Sequence, residues 1–262
     1  MDLGIKGRAA LVMASSAGLG KAMALELARE GASVMLFSPF EEELKEAQAE
    51  IKAATGMEPA YTVGDITVYD DIKKVVKNTA DKFGRIDILI NNTGGPPAGA
   101  FDAFDDSVWQ KAFELTLLSY VRAIREVLPY MRQNRWGRIL NSTSSSIKAV
   151  LDNLILSNTF RMGVVGMSKT LSQELGKDGI LVNVIAPGRI GTARTISLDK
   201  MRAEKQGITL EDQIAQTAKA IPLGRYGTAE EYGKLAAFLC SGANTYITGQ
   251  AVLVDGGMVK AL

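Results

Sequence analysis

The chain has 262 residues, of which 47% are hydrophobic and 23% charged, with 30 basic against 29 acidic side chains. This balance provides no strong field for nucleic acid or an anionic membrane, so it favours a small-molecule ligand. The absence of histidine excludes a Ser-His-Asp triad and a histidine-ligated metal site, and we expect no metal. The single cysteine, Cys240, follows an apolar run, which predicts a buried thiol.

The N-terminal residues and the apolar runs argue against export and membrane insertion. The segment MDLGIKGRAALVM lacks the charged start, long apolar core and cleavage site of a secretory signal. No apolar run approaches the roughly 18 to 20 residues that a membrane span needs. We therefore expect a cytoplasmic protein, long enough for one large α/β domain.

Short apolar runs alternate with amphipathic segments along the first half of the sequence. Strands are predicted at 8–14, 33–37, 60–65 and 86–92, and helices at 21–31, 41–56 and 68–84. In the second half, a long helix is predicted at 106–134, with Pro129 expected to kink or end it. The stretch 141–170 begins with a serine cluster and continues as a helix. Its Gly163 and Gly166 stand among apolar residues, so this helix is expected to be buried.

The remaining pattern completes a parallel sheet. Strands are predicted at 138–142, 180–186 and 250–255, with a charged helical insertion at 195–220 and a last helix at 228–241. Strands that are apolar on both faces and alternate with helices indicate a parallel sheet covered by helices. Right-handed crossovers make this a doubly wound, seven-stranded Rossmann-type α/β fold with ligands at the carboxyl ends of the strands. The absence of repeats and linkers predicts one domain over 1–262.

The loop after the first predicted strand carries Gly18 and Gly20 and opens a helix. Glycines let phosphates approach the backbone, and the start of a helix supplies free N–H groups and a positive dipole end. Taken alone, this GLG sequence is also compatible with a plain turn. Its position after the first strand of a parallel sheet predicts a dinucleotide pyrophosphate site.

Seven segments, taken together, resemble the short-chain dehydrogenase/reductase family, and in particular its β-ketoacyl-acyl-carrier-protein reductases. In family order they read MASSAGLG, GDIT, FGRIDILINNTGG, VLPYMRQNRWGRILNSTS, LSQELGKDGILVNVIAPGRIGT, IPLGRYGTAEE and YITGQAVLVDGG. The resemblance covers nearly the whole chain and implies hydride transfer between NAD(P) and a carbonyl or alcohol. It also implies a substrate lid at 193–220 and a homo-oligomer, either a dimer or a tetramer.

The resemblance also assigns cofactor contacts residue by residue. The implied set is Gly18, Leu19 and Gly20 along the pyrophosphate, Asp65 and Ile66 at the adenine, Asn92 to Gly94 beside the adenosine, and Pro187, Gly188, Ile190 and Thr192 at the nicotinamide. The same glycine-rich loop contains Ser16, and Ala14 replaces the first glycine of the family pattern TGxxxGxG. That replacement is harmless if the residue has a negative φ and costly if it does not.

The residues expected near the adenosine ribose do not select one cofactor. An acid at the end of the second strand would bond the ribose 2′-hydroxyl and repel a 2′-phosphate, while an arginine would attract that phosphate. The chain has Ser38, Pro39 and Phe40 there, and Ala17 rather than a base precedes Gly18. The missing carboxylate slightly favours NADP.

The family's proton-transfer residues are largely replaced. By position, Ser144 stands at the catalytic serine, Ser157 at the tyrosine, Arg161 at the lysine and Thr116 at the asparagine. A free phenol has a pKa of about 10, which neighbouring positive charges lower, whereas a serine hydroxyl is a far weaker acid. Arginine keeps its positive charge and does not release a proton near neutral pH.

Two interpretations of this atypical tetrad remain open. In the first, the protein is an NAD(P)-dependent oxidoreductase in which Ser144 and Arg161 polarise a carbonyl and the proton arrives through Ser157 and water. In the second, it binds nucleotide as a non-catalytic or regulatory member of the family. Arg189 and Arg194 are expected near the same cleft as Arg161, which suggests an anionic substrate; the alternative is that these arginines are solvated or structural.

Overall fold

The computed structural model describes residues 2–261, so the outermost residues of the predicted domain, Met1 and Leu262, lie outside the described residues. All strands of the described chain belong to one seven-stranded parallel sheet in the order β3-β2-β1-β4-β5-β6-β7. The strands are β1 Ala9–Met13, β2 Ser33–Ser38, β3 Ala60–Val63, β4 Ile88–Asn91, β5 Gly137–Ser142, β6 Ile180–Pro187 and β7 Ala251–Val254. The predicted Rossmann-type sheet is confirmed.

Helices cover both faces of the sheet. They are α1 Gly18–Arg29, α2 Glu41–Thr55, α3 Tyr69–Phe83, α4 Asp106–Phe113, α5 Ser119–Asn134, α6 Ile155–Leu175, α7 Ala193–Gln206, α8 Leu210–Lys219 and α9 Ala229–Leu239. On one face, Leu27 and Leu44 pack with Ala236 against the sheet. On the other face, Ile72 and Val127 join a second apolar cluster. The two faces are buried because the strands are apolar on both sides.

The helix ends follow local sequence chemistry. Gly56 and Gly84 end α2 and α3 in the left-handed conformation, with φ of 73° and 72°. At the start of α9, Thr228 and Glu231 form a reciprocal capping box. The predicted insertion at 195–220 is helical and consists of α7 and α8. Within residues 2–261, no helix combines the length and apolar character required to cross a membrane.

The prediction that Cys240 is buried is confirmed, because its side chain is fully enclosed by the protein.

The long helix predicted at 106–134 is not continuous. A π-helical segment, Glu114–Leu118, interrupts it between α4 and α5. Pro129 lies inside α5 and does not end it; the helix continues until Arg135, which has φ 48°.

The helix predicted as buried, α6, buries only one stripe. Ser157, Arg161, Val164 and Ser168 face the interior, whereas Met162 is 47% exposed. The helix was expected to be buried, and it is buried along this stripe only, because its opposite side faces solvent. A Cβ at Gly163 would lie 2.9 Å from Leu117 Cδ2, so its absence lets α6 approach the π-helical segment.

Ala14 adopts a conformation that L-residues rarely occupy, with φ 46°. Its carbonyl oxygen accepts a hydrogen bond from Asn92 Nδ2 at 3.1 Å and would lie only 2.1 Å from a Cβ at Gly20. The loop after β1 therefore needs both a missing side chain at Gly20 and a left-handed residue at position 14. The replacement of the family's first glycine is costly rather than harmless.

We predict that Ala14→Gly raises the free energy of unfolding by about 0.5 to 1 kcal/mol, because glycine relieves the left-handed strain while giving up some chain entropy. Urea unfolding in the absence of nucleotide measures it. Ala17→Gly is the matched control, since Ala17 has φ −150° and gains nothing from glycine. If the free energy of unfolding of Ala14→Gly were equal to or lower than that of the wild type, the inferred backbone strain at Ala14 would be contradicted.

Candidate active site

A cleft of about 500 Å³ lies at the carboxyl ends of the first strands. Its walls include seven of the predicted cofactor residues, namely Ala14, Ser16, Ser38, Asp65, Ile66, Thr93 and Gly94, and also Ala17, Phe40, Glu43, Leu115 and Arg194. Most of these residues lie at the end of β2 or in the loops after β1, β2, β3 and β4, while Glu43 comes from α2, Leu115 from the π-helical segment and Arg194 from α7. The topology thus brings the predicted adenosine residues to one place, as parallel strands require.

The loop after β1 is shaped for close approach of a ligand to the backbone. Gly18 begins α1 with φ 56°, and the preceding Ala17 offers no side-chain cap to the first N–H groups of the helix. A Cβ on Gly18 would lie 3.9 Å from Thr192 Cγ2, so this loop faces the loop after β6. Backbone N–H groups without a cap at a helix start suit a pyrophosphate. Leu19 and Gly20 follow in the first turn.

The loop after β6 is fixed by contacts with two neighbouring loops. Pro187 is the last residue of β6, and a Cβ on Gly188 would meet Asp255 Cβ at 2.5 Å. Ile190 forms an isolated bridge with Gly227. The side chain of Thr192 caps α7 by accepting a hydrogen bond from Thr195 N at 3.3 Å. The predicted nicotinamide residues are therefore held by a rigid backbone beside Gly18.

The predicted adenosine side contains one buried polar atom without a partner. Asp65 Oδ1 accepts hydrogen bonds from the backbone N and hydroxyl of Thr67 at 2.8 and 2.7 Å, which orders the loop after β3. Thr93 Oγ1, in contrast, is buried with no hydrogen-bond partner within residues 2–261. A bound polar ligand would satisfy such a hydroxyl. This orphaned atom and the glycine loop fit a dinucleotide.

Arg161 is buried at the carboxyl end of β5 and is held by oxygen atoms. Its Nε donates to Ser157 Oγ at 3.2 Å, and its Nη1 donates to the Ser142 carbonyl at 3.4 Å. Tyr120 donates its hydroxyl to the same carbonyl at 2.8 Å, and the Tyr232 hydroxyl lies 2.9 Å from Ser142 Oγ. The structure thus brings Ser157 and Arg161 together and adds two tyrosines behind them.

The other two predicted catalytic residues differ in accessibility. Ser144 is half-buried, and its Oγ accepts a hydrogen bond from Ser146 N at 3.2 Å. Thr116 is fully buried in the π-helical segment, and its hydroxyl donates to the Ala112 carbonyl of its own helix. Ser144 can therefore be reached by a ligand, whereas the Thr116 hydroxyl is engaged within the helix.

The three arginines expected near one cleft separate into two groups. Arg189 forms an ion pair with the fully buried Asp199, Nη1 to Oδ1 3.2 Å, so its charge is neutralised structurally. The Arg194 guanidinium reaches Gly95, with Nη2 3.4 Å from the carbonyl oxygen. Partial burial, followed by repulsion from Arg161, lowers the pKa of Arg194. In the described part of the chain, neither Arg161 nor Arg194 has a carboxylate in an ion pair.

Two residues of the site were missed from sequence. Glu43 Oε2 accepts a hydrogen bond from Ser16 Oγ at 2.9 Å, although no residue of the helix predicted at 41–56 was expected to reach the site. Tyr120 lies on another helix than the catalytic stretch, and only the fold brings its hydroxyl to Ser142. The position of Glu43, two residues after the start of α2 and close to the end of β2, was a weak sequence signal that its carboxylate could reach the site. No local pattern indicated Tyr120.

Comparison with known proteins agrees with this architecture over the whole chain. The family model described as Enoyl-(Acyl carrier protein) reductase matches residues 13–259. A 3-oxoacyl-[acyl-carrier-protein] reductase of Thermotoga maritima is 34% identical, covering 97% of this chain and 99% of its own. The NADPH-dependent reductase BacG of Bacillus subtilis is 31% identical, covering 97% and 99%. The chain belongs to the short-chain dehydrogenase/reductase family.

A solved structure shows how closely the backbone is shared. L-sorbose reductase from Gluconobacter frateurii, complexed with NADPH and L-sorbose, superposes with a TM-score of 0.96 at 33% identity and full coverage of both chains. The predicted family resemblance is therefore confirmed. The chemistry of the replaced residues has to be argued from this chain itself.

We predict that stability falls as pH rises above about 9 because of buried weak acids. Burial raises the pKa of Tyr120 to about 12, from 10.0, and that of Cys240 to about 12, from 9.0; it also raises the pKa of Tyr232. At a pH between the ordinary and the raised pKa of each group, the unfolded chain releases a proton that the folded protein retains. Raising the pH through this range therefore favours unfolding.

Urea unfolding at pH 8 and pH 10.5 measures this loss of stability. Tyr120→Phe should reduce the difference between the two pH values, whereas Tyr246→Phe, at a residue 97% exposed, should not. A pH dependence that is the same in wild type and both variants would show that Tyr120 does not contribute.

Proposed function

We propose that this protein is an NAD(P)-dependent oxidoreductase that transfers hydride between nicotinamide and a carbonyl or alcohol, related to the 3-oxoacyl-acyl-carrier-protein reductases. The observation that carries the proposal is the uncapped helix start at Gly18, which faces the loop of Thr192. NADPH is the favoured cofactor because BacG is named as NADPH-dependent and the sorbose reductase structure contains NADPH. The chain acts as one dinucleotide-binding domain.

The residues that would hold the cofactor follow the geometry of three loops. The Gly18–Leu19–Gly20 backbone would hold the pyrophosphate. The adenosine would lie against Ala14, Ser16, Ser38, Asp65, Ile66, Asn92 and Gly94, and the nicotinamide against Pro187, Gly188, Ile190 and Thr192. A bound nicotinamide supplies or accepts the hydride. The remaining chemistry belongs to the side chains around Ser144.

The polar side chains near the end of β5 would polarise the substrate carbonyl. Ser144 is accessible enough to donate a hydrogen bond to the carbonyl oxygen, and Arg161 provides a fixed positive charge close to Ser157. In a site with little water, such charge stabilises a developing alkoxide without reorganisation. A guanidinium does not donate its proton, so the proton would arrive through the Ser157 hydroxyl and water. Thr116 supports the site from within its helix.

A second candidate function is nucleotide binding without turnover. The observation that favours it is that two hydroxyls of the site are already engaged within the protein, that of Thr116 with the Ala112 carbonyl and that of Tyr120 with the Ser142 carbonyl. The two candidates differ in one measurable respect. Both bind nucleotide, but only the oxidoreductase consumes NADPH or NADH in a panel of carbonyl compounds.

We predict that Ser144→Ala and Arg161→Met each lower kcat/KM by about 100-fold or more, because each removes a group that stabilises negative charge on the substrate oxygen. Nucleotide fluorescence titration should show cofactor binding within about threefold of wild type, since neither residue is assigned to the adenosine or pyrophosphate. Steady-state oxidation of NADPH measures the activity.

Survival of turnover in both variants would refute the proposed roles of Ser144 and Arg161. Tight nucleotide binding with no turnover of any carbonyl by wild type would instead favour the binding function. Because Tyr120 still donates to the Ser142 carbonyl when Arg161 is replaced, Arg161→Met retains a partner for that group. If Arg161→Met folds poorly because residue 161 is buried, Ser144→Ala still tests whether the site stabilises charge on the substrate oxygen.

The substrate is further proposed to carry an anionic group such as a carboxylate. Arg161 is 6% exposed, and its charge is close enough to Arg194 to lower the pKa of that residue. Two neighbouring guanidinium groups without a carboxylate repel each other, and a bound anion between them would relieve the repulsion. Arg194 lies at the accessible side, in the proposed lid at 193–220, and could reach a substrate as it enters.

We predict that Arg194→Met raises KM for a keto acid about tenfold while changing KM for the corresponding amide little, because only the acid loses a charged hydrogen bond. Steady-state kinetics with the matched pair measures the difference. Lys200→Met, on the exposed side of the same helix, is the control. Equal effects on acid and amide would exclude an anion contact at Arg194.

Assembly and location belong to the same proposal. We propose a homo-oligomer, dimer or tetramer, in which the long helices α5 and α6 form the contact face, as the family resemblance implies. A reducing, cytoplasmic location fits the single buried thiol of Cys240.

A further inference from the structure

A hydrogen-bonded chain of three side chains lies at the adenosine end of the cleft. Ser38 Oγ donates to Ser16 Oγ at 3.0 Å, and Ser16 Oγ donates to Glu43 Oε2 at 2.9 Å. Ser38 Oγ also accepts from Phe40 N at 3.3 Å. The chain joins the end of β2, the loop after β1 and the first turn of α2. All three side chains line the cleft.

Glu43 differs from the other acids in the first turn of α2. Glu41 and Glu42 both form ion pairs with Lys45, at 3.3 and 2.8 Å, and point along the helix surface. Glu43 has no basic partner in the described part of the chain, and it is directed to Ser16. All three acids favour the helix start through the macrodipole, so that role does not explain the orientation of Glu43. Its carboxylate instead contributes negative charge to the cleft wall.

The position of this charge matters because the end of the second strand lies beside the adenosine ribose in sheets of this type. An acid there accepts a hydrogen bond from a ribose 2′-hydroxyl and repels a 2′-phosphate. The sequence places Ser38, Pro39 and Phe40 directly after the strand, without a carboxylate. The fold nevertheless supplies one from α2, held by Ser16 and Ser38.

We propose that Glu43 is a specificity-determining residue that opposes the 2′-phosphate of NADPH and supports the 2′-hydroxyl of NADH, an inference that rests on the proposed binding of NAD(P). Any preference of this protein for NADPH therefore exists despite electrostatic repulsion between the Glu43 carboxylate and the 2′-phosphate. Ser16 and Ser38 position that carboxylate and themselves offer hydroxyls to either nucleotide. The repulsion is electrostatic and partly exposed to solvent, so it weakens as ionic strength rises.

The test is a fluorescence titration of wild type, Glu43→Gln and Glu42→Gln with NADH and with NADPH. Glutamine keeps the size and one acceptor oxygen but removes the charge. Glu43→Gln should raise the ratio of the NADH Kd to the NADPH Kd about tenfold, mainly by tightening NADPH binding. The rise should be smaller in 0.5 M salt, a concentration at which the screening length is about 4 Å.

The control, Glu42→Gln, removes the same charge one residue earlier, where the side chain pairs with Lys45. Its ratio should match wild type. A ratio in Glu43→Gln that is unchanged, or a rise shared equally by Glu42→Gln, would overturn the assignment while leaving the proposed function intact. Failure of wild type to bind either nucleotide would overturn both the proposed function and this inference. The measurement does not depend on turnover.

Discussion

The buried guanidinium of Arg161 is the constraint on which the arrangement of the site depends. A charge removed from water costs several kcal/mol unless neighbouring groups compensate it. Here the compensation comes from oxygen dipoles, because Ser157 and the Ser142 carbonyl accept its N–H groups. Tyr120 and Tyr232 in turn fix Ser142 from behind. The end of β5, the start of α6 and two distant helices are thus tied to one side chain.

If Arg161 served only to pack the interior, a hydrophobic side chain at this position would serve equally well. Hydrophobic replacements of buried ionic groups are often neutral or stabilising. The neighbouring positive charge of Arg194 adds repulsion, whereas Arg189, a few residues earlier, has its own buried acid. The contrast between the paired and unpaired arginines separates structural charge from charge available to a ligand.

Much of the fold was accessible from sequence because it depends on local periodicity. Apolar runs and terminal glycines such as Gly56 and Gly84 fix strands, helices and their ends without knowledge of distant contacts. The π-helical segment was missed because its unwinding reflects tertiary packing and has no simple local pattern. The ion pair of Arg189 and the approach of Tyr120 to Ser142 also depend on which way side chains point across elements.

The candidate site shows the same division. The positions of Ser144, Ser157 and Arg161 followed from the family resemblance, and that of the glycine loop from its place after the first strand, whereas the partners of these residues could not be predicted. Glu43 illustrates the difference, since Ser38, Pro39 and Phe40 at the end of β2 include no acid. The structure supplies a carboxylate to the cleft wall from the next helix, so the absence of an acid at one sequence position does not mean the absence of negative charge in the cleft.

The contact between Gly163 and Leu117 has a further consequence for how such a site can change over time. A methyl group at position 163 would meet Leu117 Cδ2, which is the end of a flexible side chain, so a larger residue there would require Leu117 to move. Ser157 and Arg161 lie elsewhere on α6 and can be exchanged without touching this contact. The identity of residue 163 is therefore tied to that of a residue in the π-helical segment, whereas the chemistry that α6 carries is not.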